Sequence, residues 1–376
     1  MLILAAVLAI FAYGMIAATL GTILPDLSAR HALTPKQNGT IAFAQAMGLM
    51  IASLLIGPFM DREGPKAALV MGLALAAIAL LALPRSEKFG STVALLFVLG
   101  LGGGIIVTGA NALASNVSEA HRATTLNLVN VFFGLGGLAT PFVSANLLKN
   151  DSARLCYLVG LITAATLAIH VATAMPQPSG AQSFMLSEAG TVLGKPVLFL
   201  LALFLFLYVA CEVGIWNWLA RHLIAQGIPE ARALNILSLG FALGLLIGRL
   251  AVSPILINVR PLWVLLVASI AMTFTTIWIL NTTKAITAGI LVFFAGVSMA
   301  PVYPTTLAVV GDTFPKMAST ALGIVVAAGW LGLALSSRII GAIAGADPKR
   351  LRQALRVIPV SSAVMVVLDL VIRAAQ

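Results

Sequence analysis

Residues 104–111 read Gly-Ile-Ile-Val-Thr-Gly-Ala-Asn, and the next apolar segment carries Thr-Leu-Asn-Leu-Val-Asn at residues 125–130. Both segments lie in stretches that are long and apolar enough to cross a lipid bilayer as helices. Each nevertheless carries amides where a lipid-facing helix would carry leucine. Because an amide both donates and accepts hydrogen bonds, these positions predict a polar site inside a bundle of apolar helices.

The chain contains a second copy of this pattern. Phe-Phe-Gly-Leu-Gly-Gly-Leu at residues 132–138 reappears as Ala-Ala-Gly-Trp-Leu-Gly-Leu at residues 327–333, an offset of 195 (327 − 132). At the same offset, residues 107–111 fall on Val-Tyr-Pro-Thr-Thr at residues 302–306. Two halves, each with a polar window in apolar helices, indicate a membrane protein with a central site between the halves.

The composition supports this interpretation. Of 376 residues, 60% are hydrophobic and 9% are charged, and the mean hydropathy is +1.07. A soluble domain carries about 25% charged residues, so this chain has too little charge to cover a soluble surface. Strands of a membrane β-barrel would alternate polar and apolar residues, which these runs do not. The net charge of +10 comes from scattered basic residues without neighbouring aromatics, so we expect no nucleic-acid binding.

An all-α protein of twelve transmembrane helices follows from the apolar runs. We predict spans at about 2–24, 38–60, 67–83, 92–115, 123–148, 154–174, 197–219, 233–257, 262–280, 285–310, 317–344 and 355–372. Pro25 and Asp26 are expected to end the first span. The longest polar break, 176–195, is the predicted linker between a six-helix bundle at 1–175 and a second one at 196–376. Six helices repeated around a linker place the substrate near the bilayer midplane.

The orientation in the membrane is not settled by the basic residues. With both termini on the cytoplasmic side, the inner face holds eight lysines and arginines and the outer face fourteen. This count is opposite to the positive-inside rule. We expect cytoplasmic termini, in a bacterial inner membrane, because of the motif resemblance that follows.

The charged turn after the second span resembles a known signature. Residues 57–66 read Gly-Pro-Phe-Met-Asp-Arg-Glu-Gly-Pro-Lys, similar to the loop between helices two and three of the major facilitator superfamily. Ile-Gly-Arg at residues 247–249 resembles its degenerate partner in the second half. We interpret Asp61, Arg62 and Arg249 as a conformational latch, because a carboxylate can accept hydrogen bonds from a facing helix N-terminus in one access state only.

A narrower resemblance covers most of the chain. The motifs are similar in kind and order to those of the L-fucose/proton symporter family: Gly109-Ala110-Asn111, Arg122, Leu126-Asn127-Leu128, Tyr208-Val209-Ala210, Trp216, Ile247-Gly248-Arg249 and Tyr303-Pro304-Thr305. The resemblance implies a hexose or deoxyhexose carrier that works by alternating access. Proton-linked members of that family carry one acid in helix one and a glutamate in helix four. This chain has Gly21 and Thr22 near the first place and Val107 at the second, so the usual proton relay is missing.

One acid remains deep within a predicted span. Glu212 is followed four residues later by Trp216, on the same helical face. An ionisable group inside a membrane helix is costly, by about 2.5–3.5 kcal/mol, and by default marks a function. A carboxylate that accepts hydroxyl groups beside an indole that packs on C–H faces suits a sugar. Alternatively, Glu212 could carry a coupling proton, since burial disfavours its charged form, or form a structural pair with a donor on another helix.

The remaining candidate residues are polar groups within spans. Tyr303 precedes Pro304, which removes a helix hydrogen bond, so we expect a bend there with the phenol as a gate. The amides could instead serve only interhelical hydrogen bonding. Our predicted substrate-binding set is Asn127, Asn130, Glu212, Trp216, Asn217, Tyr303, Asn111 and Gln45.

These observations favour a secondary carrier of a hexose of the glucose, galactose or fucose class. The coupling ion is left open between H⁺, Na⁺ and none, and we expect a monomer without a cofactor. Alternatives are a carrier or exporter of another small metabolite or drug in the same fold, a receptor that retains the fold, and a membrane enzyme. No catalytic motif or nucleotide-binding loop is visible in the sequence, so the enzyme is the least favoured.

Overall fold

The computed structural model of the chain describes residues 1–175, 193–344 and 348–375. Within these ranges every regular element is helical, and twelve helices are long and apolar enough to cross a membrane. The prediction of an all-α protein with twelve spans is thereby confirmed. Of the predicted linker, residues 176–192 lie outside the described ranges.

We label the membrane-length helices in chain order. The first six are α1 Leu2–Arg30, α2 Lys36–Glu63, α3 Pro65–Arg85, α4 Phe89–Val117, α5 Arg122–Asn146 and α6 Ser152–Ala172. The last six are α7 Pro196–Ala225, α8 Glu230–Ile255, α9 Pro261–Asn281, α10 Ala285–Thr313, α11 Pro315–Ala344 and α12 Arg350–Ala375.

Local sequence sets several helix ends. Thr34 and Gln37 form a capping box before α2, in which the backbone N–H of Gln37 donates to the Thr34 hydroxyl at 3.3 Å. Between α2 and α3 the chain turns at Gly64, whose φ of +83° suits glycine. The Asp151 carboxylate caps α6 by accepting from the backbone N–H of Arg154 at 2.9 Å.

The expected end of the first helix at Pro25 is wrong. The helix continues through Pro25 to Arg30. Pro25 removes the helical bond to the Gly21 carbonyl, and helices that cross a membrane tolerate such a proline where local adjustment satisfies the freed group. Asp26 and Arg30 form an ion pair on this last turn at 2.9 Å.

Two later helices are irregular. A π-helical turn, Ile236–Phe241, lies within α8. The helical segments of α10 are Ala285–Met299 and Val302–Thr313, so the helix breaks at Ala300 and Pro301. We had expected the bend after Tyr303. The break precedes Tyr303, and Pro304 lies in the first turn of the second segment.

The contacts divide the chain into two compact units. Unit 1 comprises Met1–Arg122, Val129–Gly194 and Gly311–Ala327, and unit 2 comprises Ala123–Leu128, Lys195–Val310 and Ala328–Gln376. Unit 1 therefore includes the end of α10 and the start of α11, whereas unit 2 includes the first turns of α5.

Glycines bring helix backbones into contact in unit 1. A side-chain atom at Gly136 of α5 would overlap the backbone carbonyl of Phe11 in α1, and one at Gly100 of α4 would overlap the carbonyl of Gln45 in α2. Small residues allow this approach, which is how helices pack in membranes without a hydrophobic driving force.

The same device recurs in unit 2. A side-chain atom at Gly332 of α11 would overlap the backbone carbonyl of Phe206 in α7. Phe206 lies 195 positions after Phe11 (206 − 11) and Gly332 lies 196 positions after Gly136 (332 − 136), so the repeated packing follows the sequence repeat to within one residue. Gly244 and Gly248 of α8 likewise abut the backbone of α10, at Phe293 and Val297.

Candidate functional site

The carboxylate of Glu212 lies in a stripe of polar and aromatic residues on α7. Tyr208, Glu212 and Trp216 recur every four residues and share one helical face. Tyr208 is fully buried, whereas Glu212 and Trp216 are half-buried. Side-chain exposure therefore increases along the stripe, from the buried phenol of Tyr208 to the half-buried carboxylate and indole. Asn217 follows Trp216 on a neighbouring face and is exposed.

A buried cation from another helix accompanies this stripe. Arg249 of α8 is only 4% exposed, and its Nε donates to the carbonyl of Ala300 at the break in α10 at 3.3 Å. The Glu212 carboxylate and the Arg249 guanidinium both act electrostatically on the phenols of Tyr208 and Tyr303. In unit 2, the helices α7, α8 and α10 thus contribute one carboxylate, one guanidinium and two phenols.

The two phenol groups have unused hydrogen-bonding capacity. The hydroxyls of Tyr208 and Tyr303 are both buried, and neither has a hydrogen-bond partner among the residues that the structure describes. The Tyr208 hydroxyl lies beside the Glu212 carboxylate without the geometry of a hydrogen bond. Because buried polar groups are almost always paired, such groups are candidates for contact with water or a ligand.

Trp216 is held by an aromatic partner. Its ring meets that of Phe241 edge-on, with centroids 5.1 Å apart. Phe241 closes the π-helical turn of α8. Single π-helical turns are frequent at functional sites, and here the turn supplies the side chain that fixes the indole.

Asn127, like Asn217, is a predicted amide that belongs to unit 2. Its Nδ2 donates to the Ala123 carbonyl at 2.9 Å and to the Thr305 hydroxyl of α10 at 3.0 Å. Its Oδ1 is buried and has no partner within the described part of the chain. Thr305 therefore orients an amide that still has an acceptor to offer.

The other predicted amides lie in unit 1. Asn130 donates to the Asn111 carbonyl oxygen at 2.8 Å, and Asn111 donates to the backbone carbonyl of Val107 at 2.8 Å. All three side chains are buried. Gln45 is also buried, where α2 passes Gly100. Asn111 and Asn130 thus form an interhelical pair one turn from Val107, the position where the family resemblance implies a glutamate.

The charged turn after α2 contacts the start of α11 within unit 1. Asp61 accepts hydrogen bonds from the backbone N–H groups of Ser319 and Thr320, at 3.1 and 2.8 Å. The Thr320 hydroxyl adds a third at 2.5 Å. Arg62 points elsewhere and pairs with Glu63 on the surface at 3.2 Å. Arg249, the third predicted latch residue, is buried in α8 rather than placed in a turn.

Arg122 and Asp312 form an ion pair that our sequence reasoning did not identify. Arg122 begins α5, its guanidinium is almost fully buried, and its Nε also donates to the carbonyl of Ser115 at 3.0 Å. Asp312 lies at the end of α10. An acid at the end of an apolar span in so uncharged a chain was the available signal. Thr305 and Thr320 were missed because nothing in a threonine's sequence context reveals an interhelical contact.

Metal-ligating groups do not cluster in the described ranges. No group of three histidine, cysteine, aspartate or glutamate side chains there has the proximity that a metal ion needs. The side chains of the candidate site can interact with a ligand through hydrogen bonds, charges and aromatic packing.

Comparison with known proteins identifies the family. A profile of the Major Facilitator Superfamily matches residues 3–337. A protein TsgA homolog of Erwinia tasmaniensis is 24% identical over 340 residues, which is 88% of this chain and 84% of that protein. The 4-hydroxybenzoate transporter PcaK of Pseudomonas aeruginosa is 29% identical over 178 residues, or 47% of this chain and 40% of PcaK.

A solved structure shares the fold over nearly the whole length. The crystal structure of FucP in the outward conformation superposes with a TM-score of 0.87 and 18% identity, covering 98% of both chains. FucP is described as the fucose:proton symporter of E. coli. At this identity the likeness concerns the fold alone. Given the profile match and the twelve membrane-length helices, the chain is an integral multi-pass membrane transporter that belongs to the Major Facilitator Superfamily.

Proposed function

We propose that this transporter carries a hexose-type sugar by alternating access. The observation that carries the proposal is the half-buried pair of Glu212 and Trp216 on one face of α7. A carboxylate with accessible oxygens accepts hydrogen bonds from vicinal hydroxyls, while an indole packs on the apolar C–H face of a pyranose. Few other small solutes present both surfaces together.

Neighbouring groups complete the chemistry of sugar recognition. The hydroxyls of Tyr208 and Tyr303 can each donate and accept, and Asn127 Oδ1 can accept. All three are buried and lack partners among the described residues. A bound sugar would satisfy them, which would convert the cost of unpaired buried groups into binding free energy. Asn111, Asn130, Asn217 and Gln45 stay predicted contributors.

In the proposed mechanism, the helical bundles 1–175 and 196–376 rock about the bound sugar. Asp61 and its helix-end contacts stabilise one access state and release in the other. We place the protein as a monomer in a bacterial inner membrane with cytoplasmic termini. The FucP likeness in fold supports this mode of action, since FucP was solved in an outward conformation.

The coupling ion follows from which acids are present. Val107 occupies the helix-four position where the resemblance implies a glutamate, and it is buried. Within the proposed substrate site, Glu212 is the acid that would carry a coupling proton. Uptake of labelled D-glucose into proteoliposomes, with and without an inward proton gradient, decides the point. Concentration driven by the gradient assigns proton coupling, whereas equilibration in both conditions assigns a facilitator, and a sodium gradient tests the remaining ion.

A second candidate is a carrier of small aromatic carboxylates. PcaK, which matches 47% of this chain, is described as a 4-hydroxybenzoate transporter. A buried Arg249 could pair with a substrate carboxylate, and Trp216 could stack on its ring.

Counterflow in proteoliposomes separates the two candidates. Vesicles are loaded with unlabelled D-glucose, and entry of external labelled D-glucose is followed. We expect rapid entry, inhibited by D-galactose or L-fucose and unaffected by 4-hydroxybenzoate. Entry of labelled 4-hydroxybenzoate without entry of any hexose, in protein shown to be folded, would replace the first candidate by the second.

A further inference from the structure

The break in α10 leaves two backbone carbonyls, those of Val297 and Ala300, without their helical donors. In an α-helix the N–H of each residue donates to the carbonyl four residues earlier. Pro304 has no N–H, so the carbonyl of Ala300 receives no bond from within the helix. The next position is regular, because Thr305 N–H donates to the Pro301 carbonyl at 2.9 Å. Pro301 likewise has no N–H for the Val297 carbonyl, so of the two carbonyls that lack a helical donor, that of Ala300 lies at the break itself.

Arg249 supplies the missing donor. Its Nε reaches the Ala300 carbonyl at 3.3 Å. The approach is possible because Gly248, the preceding residue, has no side chain: an added atom there would come within 2.6 Å of the Ala300 methyl group. A buried guanidinium thus takes the place of a backbone N–H at the only irregular point of α10 in the described chain.

The same guanidinium belongs to the electrostatic environment of the Glu212 site. Arg249 and Glu212 both act on the phenols of Tyr208 and Tyr303. Tyr303 lies three positions beyond Ala300, on the second segment of α10. The guanidinium that supports the break therefore lies in the same group of side chains as Tyr303 and the candidate site.

We propose that Arg249 is a positioning residue that links the state of the Glu212 site to the geometry of the α10 break, and hence to the placement of Tyr303. A ligand that moves the Trp216 ring moves its partner Phe241, and with it the α8 helix that carries Arg249 to the Ala300 carbonyl. This inference rests on the proposed function, since it takes the Glu212 site to be the substrate site.

The α8 helix gives this link a continuous path. Phe241 of α8 contacts the Trp216 ring, and two turns later Arg249 of the same helix contacts Ala300. Between them, Gly244 abuts the backbone of Phe293 in α10. A ligand that moves Trp216 therefore acts on the helix that supports the break.

The test compares binding with transport in Arg249 variants. We expect Arg249→Gln to bind labelled D-glucose with less than a threefold loss and to lose counterflow by about tenfold, which corresponds to about 1.4 kcal/mol. Arg249→Lys, which keeps a charged donor, should recover part of the counterflow. The matched control is Arg260→Gln, because Arg260 is an exposed cation immediately before α9. This variant should behave as the unaltered protein.

A second-site change tests the hydrogen bond itself. Pro304→Ala restores the backbone N–H that would donate to the Ala300 carbonyl. It should therefore rescue counterflow in the Arg249→Gln background. Counterflow at the unaltered rate in Arg249→Gln would overturn the proposal. So would an equal loss of binding and counterflow that Pro304→Ala does not rescue, which would make Arg249 a substrate contact.

A readout without substrate separates failure of this inference from failure of the proposed function. In the Tyr303→Cys variant, the introduced thiol is labelled with a membrane-impermeant methanethiosulfonate. The native thiols of Cys156 and Cys211 are both buried, so they should contribute little to the labelling. We expect Arg249→Gln to change the labelling rate and Pro304→Ala to restore it. If the unaltered protein binds no hexose, the proposed function fails while this labelling still tests the link. An unchanged rate in Arg249→Gln would overturn the inference.

Discussion

The carboxylate of Asp61, at the end of α2, caps α11 through Thr320, which lies 259 positions later in the chain. The hydroxyl and the backbone N–H of Thr320 both donate to Asp61 Oδ2, at 2.5 and 2.8 Å. Ser319 N–H donates to the other carboxylate oxygen at 3.1 Å. A negative charge at a helix N-terminus also interacts favourably with the helix dipole. Three hydrogen bonds converge on one acid that the sequence motif had singled out.

Replacing Asp61 by asparagine should destabilise this state of the protein. Hydrogen bonds to a charged group each contribute about 1.5–3 kcal/mol, and the amide of asparagine would point a donor at other donors. We expect the midpoint of thermal unfolding of Asp61→Asn to fall by several degrees in detergent.

Glu63→Gln is the matched control for that change. Glu63 lies two residues away and pairs with Arg62 on the surface, where an ion pair contributes little. Its midpoint should stay unchanged. Equal midpoints for the Asp61 and Glu63 variants would contradict the capping role.

Arg122 and Asp312 should be energetically coupled. The guanidinium is buried but Asp312 is half-exposed, so we expect a coupling free energy of about 1 kcal/mol rather than that of a fully buried pair. A double-mutant cycle of Arg122→Gln and Asp312→Asn, with thermal unfolding as the readout, measures it. Additive losses from the two single changes would show that the pair contributes nothing.

The glycine contact between α1 and α5 should not tolerate a methyl group. An atom added at Gly136 would overlap the backbone of Phe11, so Gly136→Ala should cost about 1–3 kcal/mol of stability. Gly21→Ala is the control, because an atom added there meets nothing within 4 Å. If both variants unfold at the same temperature, the close packing of α1 on α5 is not as the structure has it.

Asn127 should contribute to substrate affinity through its free acceptor. Asn127→Ala removes Oδ1, and we expect the apparent affinity for D-glucose to fall by about tenfold, the loss typical of one good hydrogen bond. Thr305→Val removes only the partner of Nδ2 and should lower affinity less. Binding to purified protein measures both, and a larger loss in Thr305→Val would reverse the assigned roles.

Much of the fold follows from the sequence because lipid imposes simple rules. Each span needs about 20 apolar residues, so the succession of apolar runs yields twelve helices. Proline was the source of both errors in the helices. It was expected to end α1 at Pro25 and to bend α10 after Tyr303, but its effect depends on whether neighbouring space and donors compensate for it. At Pro304 the compensation comes from Arg249, which is distant in the chain.

The candidate site residues could be singled out from the sequence by residue type, whereas their hydrogen-bond partners could not. Glu212 and Trp216 stand out because an acid and an indole at helical spacing are rare within an apolar span. The contacts of Asp61 with Thr320, Arg122 with Asp312, and Asn127 with Thr305 depend on which helices pack together. A single sequence carries no signal for pairs separated by 178 to 259 positions.

The most direct test of the account is uptake of labelled D-glucose into proteoliposomes by the unaltered protein and by Glu212→Gln. Glu63→Gln serves as a control for the loss of one acid. The account predicts uptake by the unaltered protein and by Glu63→Gln, and about tenfold slower uptake by Glu212→Gln, since a neutral amide is a weaker acceptor for sugar hydroxyls. Folded protein that takes up no hexose, or a Glu212→Gln variant that transports at the unaltered rate, would contradict it.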